Sequence, residues 1–305
     1  MLEWELIIVG AGPAGLTAGV YAGNRGLKTL ILDSAEPGGL LAAMYSNKTI
    51  KNIPGFPDGI SAGDFAGLLK EQAEKAGAEI RKERVIDISV EKKIKTEESE
   101  YISKAIILAV GASPKRLGIP GEDKFARIGL VVYNLSSPDE FSGKRTLIVG
   151  GGNTAIEAAL ALEKIAKVTL IHRRDEFRAS EELVDKLKGS GVEVIYNTEL
   201  KEIKGDKKIN SVVLFNKLTK SFEKEIDAVL LTVGLVPNTE IFKKIGIKLT
   251  EEKYIMTDQA QRTNVEGIFA AGDVTGIFNQ VCVACGQGAV AANSAYKYIK
   301  KPYWV

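Results

Sequence analysis

The sequence has few of the residues on which disulfide-stabilised domains and most metal sites depend. Its 305 residues include two cysteines and one histidine. Two cysteines exclude a secreted domain held by a framework of disulfides. A single C-x-x-C pair without a second pair of ligands disfavours a zinc site. The sequence therefore predicts no bound metal.

Charge of one sign and long apolar runs are also missing. The 41 Lys and Arg residues nearly balance 39 Asp and Glu residues, for a net charge of +2, so no strong field for nucleic acid is expected. No apolar run approaches the ~20 residues of a transmembrane helix. The first run, residues 6–9, lacks a basic leader and ends at a glycine turn, which predicts a buried strand. We expect a cytoplasmic protein without a membrane or nucleic-acid partner.

The apolar residues that are present predict a globular protein whose first part binds a dinucleotide. Hydrophobic residues make up 45% of the chain, and a chain of this length usually forms two domains. The first strand runs into a G-x-G-x-x-G turn at Gly10, Gly12 and Gly15, which suits close approach of a pyrophosphate to a helix N-terminus. A second strand, residues 29–32, ends in Asp33. Its carboxylate is placed to accept a hydrogen bond from a ribose hydroxyl.

The same pattern occurs a second time further along the chain. A strand at residues 146–149 leads into Gly150, Gly152 and Ala155, a G-x-G-x-x-A turn. Superposing the two turns places Arg173 where the first pattern has its acidic residue. The repeat predicts a second dinucleotide-binding unit with a different preference for the ribose.

The stretch H172-R-R-D-E-F-R178 follows the second strand of this repeat. Arg173, Arg174 and Arg178 suit the 2′-phosphate of NADPH, because guanidinium groups form charge-assisted, often bidentate hydrogen bonds to phosphate. A solvated basic start of a helix is the alternative. His172 is interpreted as a packing or adenine-side residue and not as a catalyst, since nothing nearby completes a triad.

A third motif, T263-N-V-E-G-I-F-A-A-G-D273, precedes a Gly- and Ala-rich helix expected over residues 283–299. It resembles the second FAD fingerprint of flavoproteins with two dinucleotide-binding domains, in which the aspartate binds the ribityl chain. The resemblance implies an α/β fold with two Rossmann-like dinucleotide-binding domains. Residues 1–115 plus 245–305 would form a discontinuous FAD domain, and residues 116–244 an NADPH domain inserted in it.

With these motifs in this order, the chain resembles the low-molecular-weight thioredoxin reductase superfamily over essentially its whole length. Members with a redox C-x-x-C in the NADPH domain place it where this chain has Y133-N-L-S136, so that dithiol is absent. The segment is similar to thioredoxin-reductase-like ferredoxin–NADP reductases, which also lack the pair. Those relatives share Gly38-Gly39, Tyr45 and a Gly-Phe-Pro turn with this chain, and their tyrosine stacks on the isoalloxazine ring. A plain core aromatic is the alternative for Tyr45.

The resemblance, carried over position by position, implies two sets of cofactor-binding residues. The FAD set comprises Gly10, Gly12, Ala14, Gly15, Asp33, Gly38, Gly39, Leu40, Tyr45, Asn52, Gly111, Gly272, Asp273, Val281 and Cys282. The NADPH set comprises Gly150, Gly152, Asn153, Thr154, His172, Arg173, Arg174, Arg178 and Gly234.

The two cysteines, Cys282 and Cys285, fall at the start of the last helix. A thiol in a first helical turn is expected to have a lowered pKa and to be reactive, and C-x-x-C at a helix start is the arrangement of dithiol oxidoreductases. A buried cysteine also behaves as a small apolar residue, and packing against the flavin is the interpretation that leads here. A metal site is the third and least favoured.

These features predict an oxidoreductase that passes electrons from NADPH through FAD to a small carrier protein, with ferredoxin–NADP reductase activity preferred. No catalytic side chain is assigned, because the chemistry belongs to the cofactors. The resemblance implies a homodimer. Three alternatives stay open: a disulfide reductase that uses Cys282 and Cys285, an NADPH oxidase, and a non-enzymatic sensor that binds both cofactors.

Overall fold

The computed structural model describes residues 2–303 and divides them into two compact units. The first unit comprises residues up to 113 and from 236 onward, and the second comprises residues 114–235. The second boundary thus lies at 235/236 and not at 244/245 as expected from the sequence. The reason is that Phe242 and Ile245 are buried in a core cluster of the first unit together with Ile7 and Leu30.

The first unit begins with a strand, a helix and a second strand, as the glycine pattern predicts. Its elements up to the first boundary are β1 (Leu2–Val9), α1 (Pro13–Asn24), β2 (Thr29–Asp33), α2 (Leu40–Ala43), β3 (Thr49–Ile50), β4 (Ile60–Ser61), α3 (Ala62–Lys75), β5 (Glu79–Lys82), β6 (Val85–Ile88), β7 (Lys93–Thr96), β8 (Glu100–Leu108) and β9 (Ala112–Pro114).

The second unit repeats the strand–helix–strand order and adds an antiparallel extension. Its elements are α4 (Glu122–Ala126), β10 (Val131–Val132), a 3₁₀ helix (Pro138–Phe141), β11 (Arg145–Gly150), α5 (Asn153–Leu162), β12 (Lys167–Ile171), α6 (Glu181–Lys188), β13 (Glu193–Ile195), β14 (Thr198–Gly205), β15 (Ile209–Asn216), β16 (Lys220–Glu225), β17 (Ala228–Thr232) and β18 (Leu235–Pro237).

The chain then returns to the first unit and ends in a long helix. The remaining elements are a 3₁₀ helix (Glu240–Ile245), β19 (Ile268–Ala270), a 3₁₀ helix (Asp273–Thr275) and α7 (Val281–Lys300). The predicted helix over residues 283–299 is confirmed, with slightly wider bounds. Nowhere within residues 2–303 does a helix combine the length and apolar character needed to cross a membrane.

The sheet of the first unit has the order β5-β2-β1-β8-β7-β6, and β19 also pairs with β8. Strands β5, β2, β1, β8 and β19 pair in parallel, whereas β6, β7 and β8 form an antiparallel meander. Alternate residues of β1 enter two different core clusters, because successive side chains of a strand point to opposite faces. Leu6 and Ile8 pack with α1 and α7, and Ile7 and Val9 face the opposite side. Both faces of this strand are therefore buried, as its continuous apolar run predicts.

The second unit contains a parallel sheet in the order β10-β17-β11-β12-β13 and a separate antiparallel sheet β14-β15-β16. Ile148 of β11 lies opposite Leu170 of β12 in the parallel register. The carboxyl ends of β11 and β12 therefore lie at the same sheet edge. The glycine turn after β11 and the arginine-rich loop after β12 both begin at that edge, which is where dinucleotides bind in such folds.

Candidate active site

The turn after β1 can be built only from glycine at two of its positions. Gly10 has φ +106°, a conformation that other residues rarely adopt, and an added Cβ would overlap the carbonyl oxygen of Ala109. A Cβ on Gly15 would overlap the carbonyl oxygen of Gly10. Helix α1 starts directly afterwards with Pro13 in its first turn, a position where proline has no N–H to lose. The glycine turn therefore passes directly into α1, and the N-terminus of this helix stays accessible to a ligand.

A second glycine turn lies against the first and completes a narrow cradle. The amide of Gly38 donates to the carbonyl of Ala11 at 2.8 Å, and a Cβ on Gly39 would come 3.0 Å from Cα of Gly12. Asp33, at the end of β2, accepts a hydrogen bond from the amide of Ala11 at 2.6 Å. Two glycine-lined backbones, a helix N-terminus and a fixed carboxylate fit the pyrophosphate and ribose of FAD.

The Gly272-Asp273 motif is held in place from α7. The side-chain oxygen of Gln287 accepts from the amide of Gly272 at 2.8 Å, and its nitrogen donates to the hydroxyl of Thr275 at 3.0 Å. Gly272 has φ +84°, and a Cβ there would come 2.9 Å from Cβ of Ala14. Asp273 is therefore placed close to the start of α1. Burial raises the pKa of its carboxyl.

Tyr45 is half-buried and packs with Leu41, Ala62 and Val281. Burial, and after it the charge of Asp273, raise the pKa of its hydroxyl. The structure thus brings Tyr45 together with Val281 and Asp273, which lie more than 200 residues further along the chain. Stacking of Tyr45 on the flavin stays a prediction.

Three further residues of the predicted FAD set are Asn52, Leu40 and Gly111. Asn52 donates from its side-chain amide to the side-chain oxygen of Gln280, the residue just before α7, at 2.8 Å. Leu40 begins α2 and accepts a hydrogen bond from the amide of Tyr45 at 3.2 Å. Gly111 has φ +61° with open space where a Cβ would stand. Asn52 is therefore a direct link between the loop after β3 and the start of α7.

The glycine turn of the second unit is packed on the single histidine. A Cβ on Gly151 would overlap the His172 ring, and His172 stacks on Phe177 with ring centroids 5.4 Å apart. His172 is 6% exposed. Burial, followed by the nearby arginines, lowers the pKa of its ring. A neutral packing residue beneath the turn agrees with the sequence interpretation.

The arginine-rich loop folds back onto this glycine turn. The amide of Arg178 donates to the carbonyl of Gly151 at 2.7 Å, and the amide of Ser180 donates to the side chain of Asn153 at 2.9 Å. The side chains of the three loop arginines are exposed, and within residues 2–303 none of them forms an ion pair. Free guanidinium groups beside a glycine turn and a helix N-terminus fit a 2′-phosphate. Three more residues of the predicted NADPH set are Thr154, Gly152 and Gly234. Thr154 is exposed, and Gly152 and Gly234 have open space where a Cβ would stand.

The segment at residues 133–136 carries no thiol and is organised by a buried carboxylate. Tyr133 donates from its hydroxyl to Glu122 at 2.9 Å, and Glu122 also accepts from the amide of Gly118 at 2.7 Å. Burial, and after it the Glu122 carboxylate, raise the pKa of Tyr133 to about 12. In this structure, then, the position that holds the redox C-x-x-C in other members of the superfamily is filled by a neutral tyrosine within a hydrogen-bond network.

Cys282 and Cys285 occupy the first and second turns of α7, one exposed and one half-buried. The Cys282 thiol donates to the carbonyl of Asn52 at 3.4 Å, and the Cys285 thiol lies 4.0 Å from the carbonyl of Pro13. Gln280 makes no side-chain cap to the helix. The predicted FAD residue Asn52 therefore touches the exposed thiol directly.

The expectation of a lowered pKa is wrong for Cys285. Burial against α1 is the largest influence and raises the pKa of this thiol, while the hydroxyl of Thr17 opposes the rise and the neighbouring Cys282 adds to it. Desolvation disfavours a thiolate, and it is the largest influence on the pKa of Cys285. Among residues 2–303, no group of three or more His, Cys, Asp or Glu side chains is placed to hold a metal ion.

A cavity of about 370 Å³ opens beside the two thiols, within the first unit. Helix α1 contributes Thr17 and Val20, α3 contributes Phe65 and Leu69, and the loop after β3 contributes Phe56. Cys282 and Cys285 line the same cavity. The two thiols therefore share one mostly apolar space, which no pattern in the sequence indicated.

Two residues of this site were missed by sequence reasoning. Gln287 is a lone polar residue between two glycines in a small-residue helix, and that anomaly is a signal that could have found it. Thr17 lies on α1 with its hydroxyl buried and without a hydrogen-bond partner of normal geometry within residues 2–303. Its place beside Cys285 depends on how α1 packs on α7, so nothing local marks it.

Comparison with known proteins identifies relatives along nearly the whole chain. The family described as pyridine nucleotide-disulphide oxidoreductase matches residues 4–288. The thioredoxin reductase of Peptoclostridium acidaminophilum is 36% identical over 97% of each chain. A protein of Clostridium pasteurianum named for its size and its place in a rubredoxin operon is 39% identical, again over 97% of each chain.

Solved structures of thioredoxin reductases are also similar to this chain over nearly its whole length. The thioredoxin reductase of Lactococcus lactis is 37% identical, with a TM-score of 0.88 over 98% of this chain and 100% of that one. The thioredoxin reductase of T. acidophilum is 35% identical, with a TM-score of 0.85. The two glycine cradles described above fit the two dinucleotides that this family uses. The chain belongs to the pyridine nucleotide-disulphide oxidoreductase family, within the low-molecular-weight thioredoxin reductase superfamily, and is an oxidoreductase that uses FAD and NADPH.

Proposed function

We propose that the protein is an NADPH-dependent disulfide reductase whose redox dithiol is the pair Cys282 and Cys285. The observation that carries the proposal is the position of both thiols at the start of α7, on one cavity and next to the predicted FAD residue Asn52. The family description and the relatives named thioredoxin reductase point to disulfide chemistry, and none of the relatives reported above is named a ferredoxin reductase. The preference for ferredoxin–NADP reductase drawn from the sequence is therefore replaced by the disulfide alternative.

The spacing of the two cysteines is compatible with a disulfide. Residues three apart on a helix have Cβ atoms ~5–6 Å apart, and a disulfide needs about 3.5–4.5 Å. The difference can be closed by a small adjustment of the first turn, where backbone amides have no intrahelical partner. Helix α7 has no side-chain cap on this turn. The pair can thus alternate between dithiol and disulfide without unwinding the helix.

Because the two thiols differ in solvent exposure, they take different steps of the reaction. The exposed Cys282 attacks one sulfur of the substrate disulfide, forms a mixed disulfide and releases the first thiol. The half-buried Cys285 then attacks the Cys282 sulfur, forms the internal disulfide and releases the second thiol, so that two electrons leave the dithiol. NADPH supplies two electrons for the next cycle, and FAD, when bound, supplies the two-electron carrier between them. Asn52 orients Cys282 through its carbonyl oxygen.

An anaerobic NADPH titration of the purified holoenzyme tests the proposal. We expect two NADPH equivalents per FAD to be consumed before excess NADPH accumulates, one for FAD and one for the disulfide. The Cys282→Ser/Cys285→Ser variant should consume one. Mass spectrometry of the alkylated protein before and after titration counts the thiols independently. Consumption of a single equivalent by the wild type, with no change in thiol count, would show that the pair is not redox-active.

Ferredoxin–NADP reductase activity remains a second candidate because the slot at residues 133–136 lacks thiols and is filled by Tyr133. In that case the cysteines are packing residues, and NADPH-dependent reduction of ferredoxin survives replacement of both. Oxidised thioredoxin is the reference substrate for the preferred function, because the relatives carry that name. A homodimer and a cytoplasmic location stay predictions.

A further inference from the structure

We infer that the cavity beside Cys282 and Cys285 binds uncharged, apolar low-molecular-weight disulfides and makes them a second class of substrate. This inference rests on the proposed redox role of the pair. The cavity lies within the first unit, and both thiols form part of its wall. Val281 and Cys282 in its wall also belong to the predicted FAD set, whereas the other lining residues lie outside that set.

The chemistry of the walls defines the ligand. Aromatic and aliphatic side chains dominate, including Phe56, Phe65, Val20 and Leu69, and none of the described residues that line the cavity is charged. A charged group would lose its hydration there without gaining a partner. A volume of about 370 Å³ lies within the range of ~300–1,000 Å³ typical of small-molecule sites. Disulfides with carboxylate arms are therefore excluded, and disulfides with neutral aromatic or aliphatic arms are accepted.

One polar residue of the wall, Thr17, acts on the Cys285 thiol. The Thr17 hydroxyl is buried without a hydrogen-bond partner of normal geometry within residues 2–303, and the residue is 9% exposed. Its oxygen atom is inaccessible to solvent, so it is not a donor for a ligand in the cavity. Thr17 influences the pKa of Cys285. It therefore acts on the thiol and not on the arms of the substrate.

The reaction in the cavity balances within the enzyme's own cycle. The Cys282 thiolate displaces one neutral thiol from the substrate disulfide, and the Cys285 thiolate displaces the second from the mixed disulfide. The substrate gains two electrons and two protons, and the dithiol is oxidised to its disulfide. NADPH restores the dithiol. No further reductant is needed.

The test compares two aromatic disulfides that differ in charge. The NADPH-reduced holoenzyme is mixed in single turnover with neutral 4,4′-dithiodipyridine or with dianionic 5,5′-dithiobis(2-nitrobenzoate). The rate of reduction of each disulfide by the enzyme is divided by the rate at which free cysteine reduces the same compound. We expect saturation with the neutral compound only, and a normalised preference of at least about tenfold, since charge burial is opposed. In the Cys285→Ser variant, mass spectrometry should find the pyridyl mixed disulfide on Cys282.

A pair of variants on α3 supplies the control. Gln72 is exposed and lines the cavity, whereas Leu68 is exposed on the same helix and does not line it. Gln72→Trp fills the mouth and should remove saturation and reduce the preference about fivefold or more, by loss of the binding volume. Leu68→Trp should match the wild type. The oligomeric mass of all three proteins is measured alongside.

The outcomes separate this inference from the function it rests on. If the wild type consumes one NADPH equivalent, the redox pair itself fails. If it consumes two but shows no preference for the neutral disulfide, or if Gln72→Trp behaves like Leu68→Trp, the dithiol stands and the ligand class is wrong. If Gln72→Trp changes the oligomeric mass, the cavity is a contact between copies, which also overturns the inference.

Discussion

Gln287 offers the sharpest test of how the predicted FAD site is held together. In Gln287→Leu the amide of Gly272, which donates to Gln287 at 2.8 Å, loses its acceptor in a buried place. Leaving a buried donor unsatisfied costs about 1–3 kcal/mol, and the lost hydrogen bond to Thr275 adds about 1 kcal/mol. Leucine is similar in size, so the cavity term is small. The expected total is roughly 2–4 kcal/mol.

Much of this loss should appear in cofactor binding, because the affected turn carries Asp273. If about half of this free energy must be recovered each time FAD orders the turn, the affinity for FAD falls about 5- to 30-fold. Equilibrium binding of FAD to the apoprotein, followed by flavin fluorescence, measures this directly. Val290→Ala is the control, since Val290 is 40% exposed on the same helix. An FAD affinity for Gln287→Leu within about twofold of wild type, under about 0.4 kcal/mol, would refute the reasoning.

Three further predictions concern other parts of the molecule. Replacing the three arginines of residues 172–178 by alanine should raise KM for NADPH roughly 100-fold and leave KM for NADH nearly unchanged; equal increases would remove the 2′-phosphate assignment. Gly151→Ala drives a methyl group into the His172 ring and should cost about 1–3 kcal/mol in the urea unfolding of the second unit; unchanged unfolding would contradict the packing. Burial raises the pKa of the Cys285 thiol, so release of the second substrate thiol should accelerate with pH through a pKa above the usual ~8.5. A plateau already reached at about pH 8 would show that Cys285 is not the closing thiol.

The glycine turns and their strands could be predicted because their requirements are local. Gly15 is dictated by crowding against the carbonyl of Gly10 within one strand–turn–helix unit. Gly10 is crowded by Ala109 at the end of β8, but the glycine motif that reveals it lies within the same unit. Asp33 and the arginines after β12 follow from position in the same unit. The placement of these residues within one βαβ pattern was therefore accessible from the sequence, and their contacts with the cofactors stay predictions.

What could not be predicted depends on packing between distant segments. The pKa of Cys285 rises because α1 buries it, and a sequence pattern that contains only the helix start reports the dipole and not the burial. The boundary at 235/236 shifts because Phe242 and Ile245 fill a core formed by β1 and β2. The cavity needs α1, α3 and α7 together, so no single stretch of sequence carries its signal.

The position of the thiols has a consequence for how the reaction is organised. Cys285 packs against the same core cluster as Ala14, next to the first glycine turn, so one core sets the spacing between the dithiol and the FAD cradle. Residues 133–136 belong to the second unit, and a dithiol there would not share that core. Under the proposed function, reduction of a disulfide between Cys282 and Cys285 would need no rearrangement of the chain outside the first unit. The second unit would then be needed only for the delivery of electrons by NADPH. We therefore expect dithionite to reduce the disulfide of the holoenzyme in the absence of NADPH.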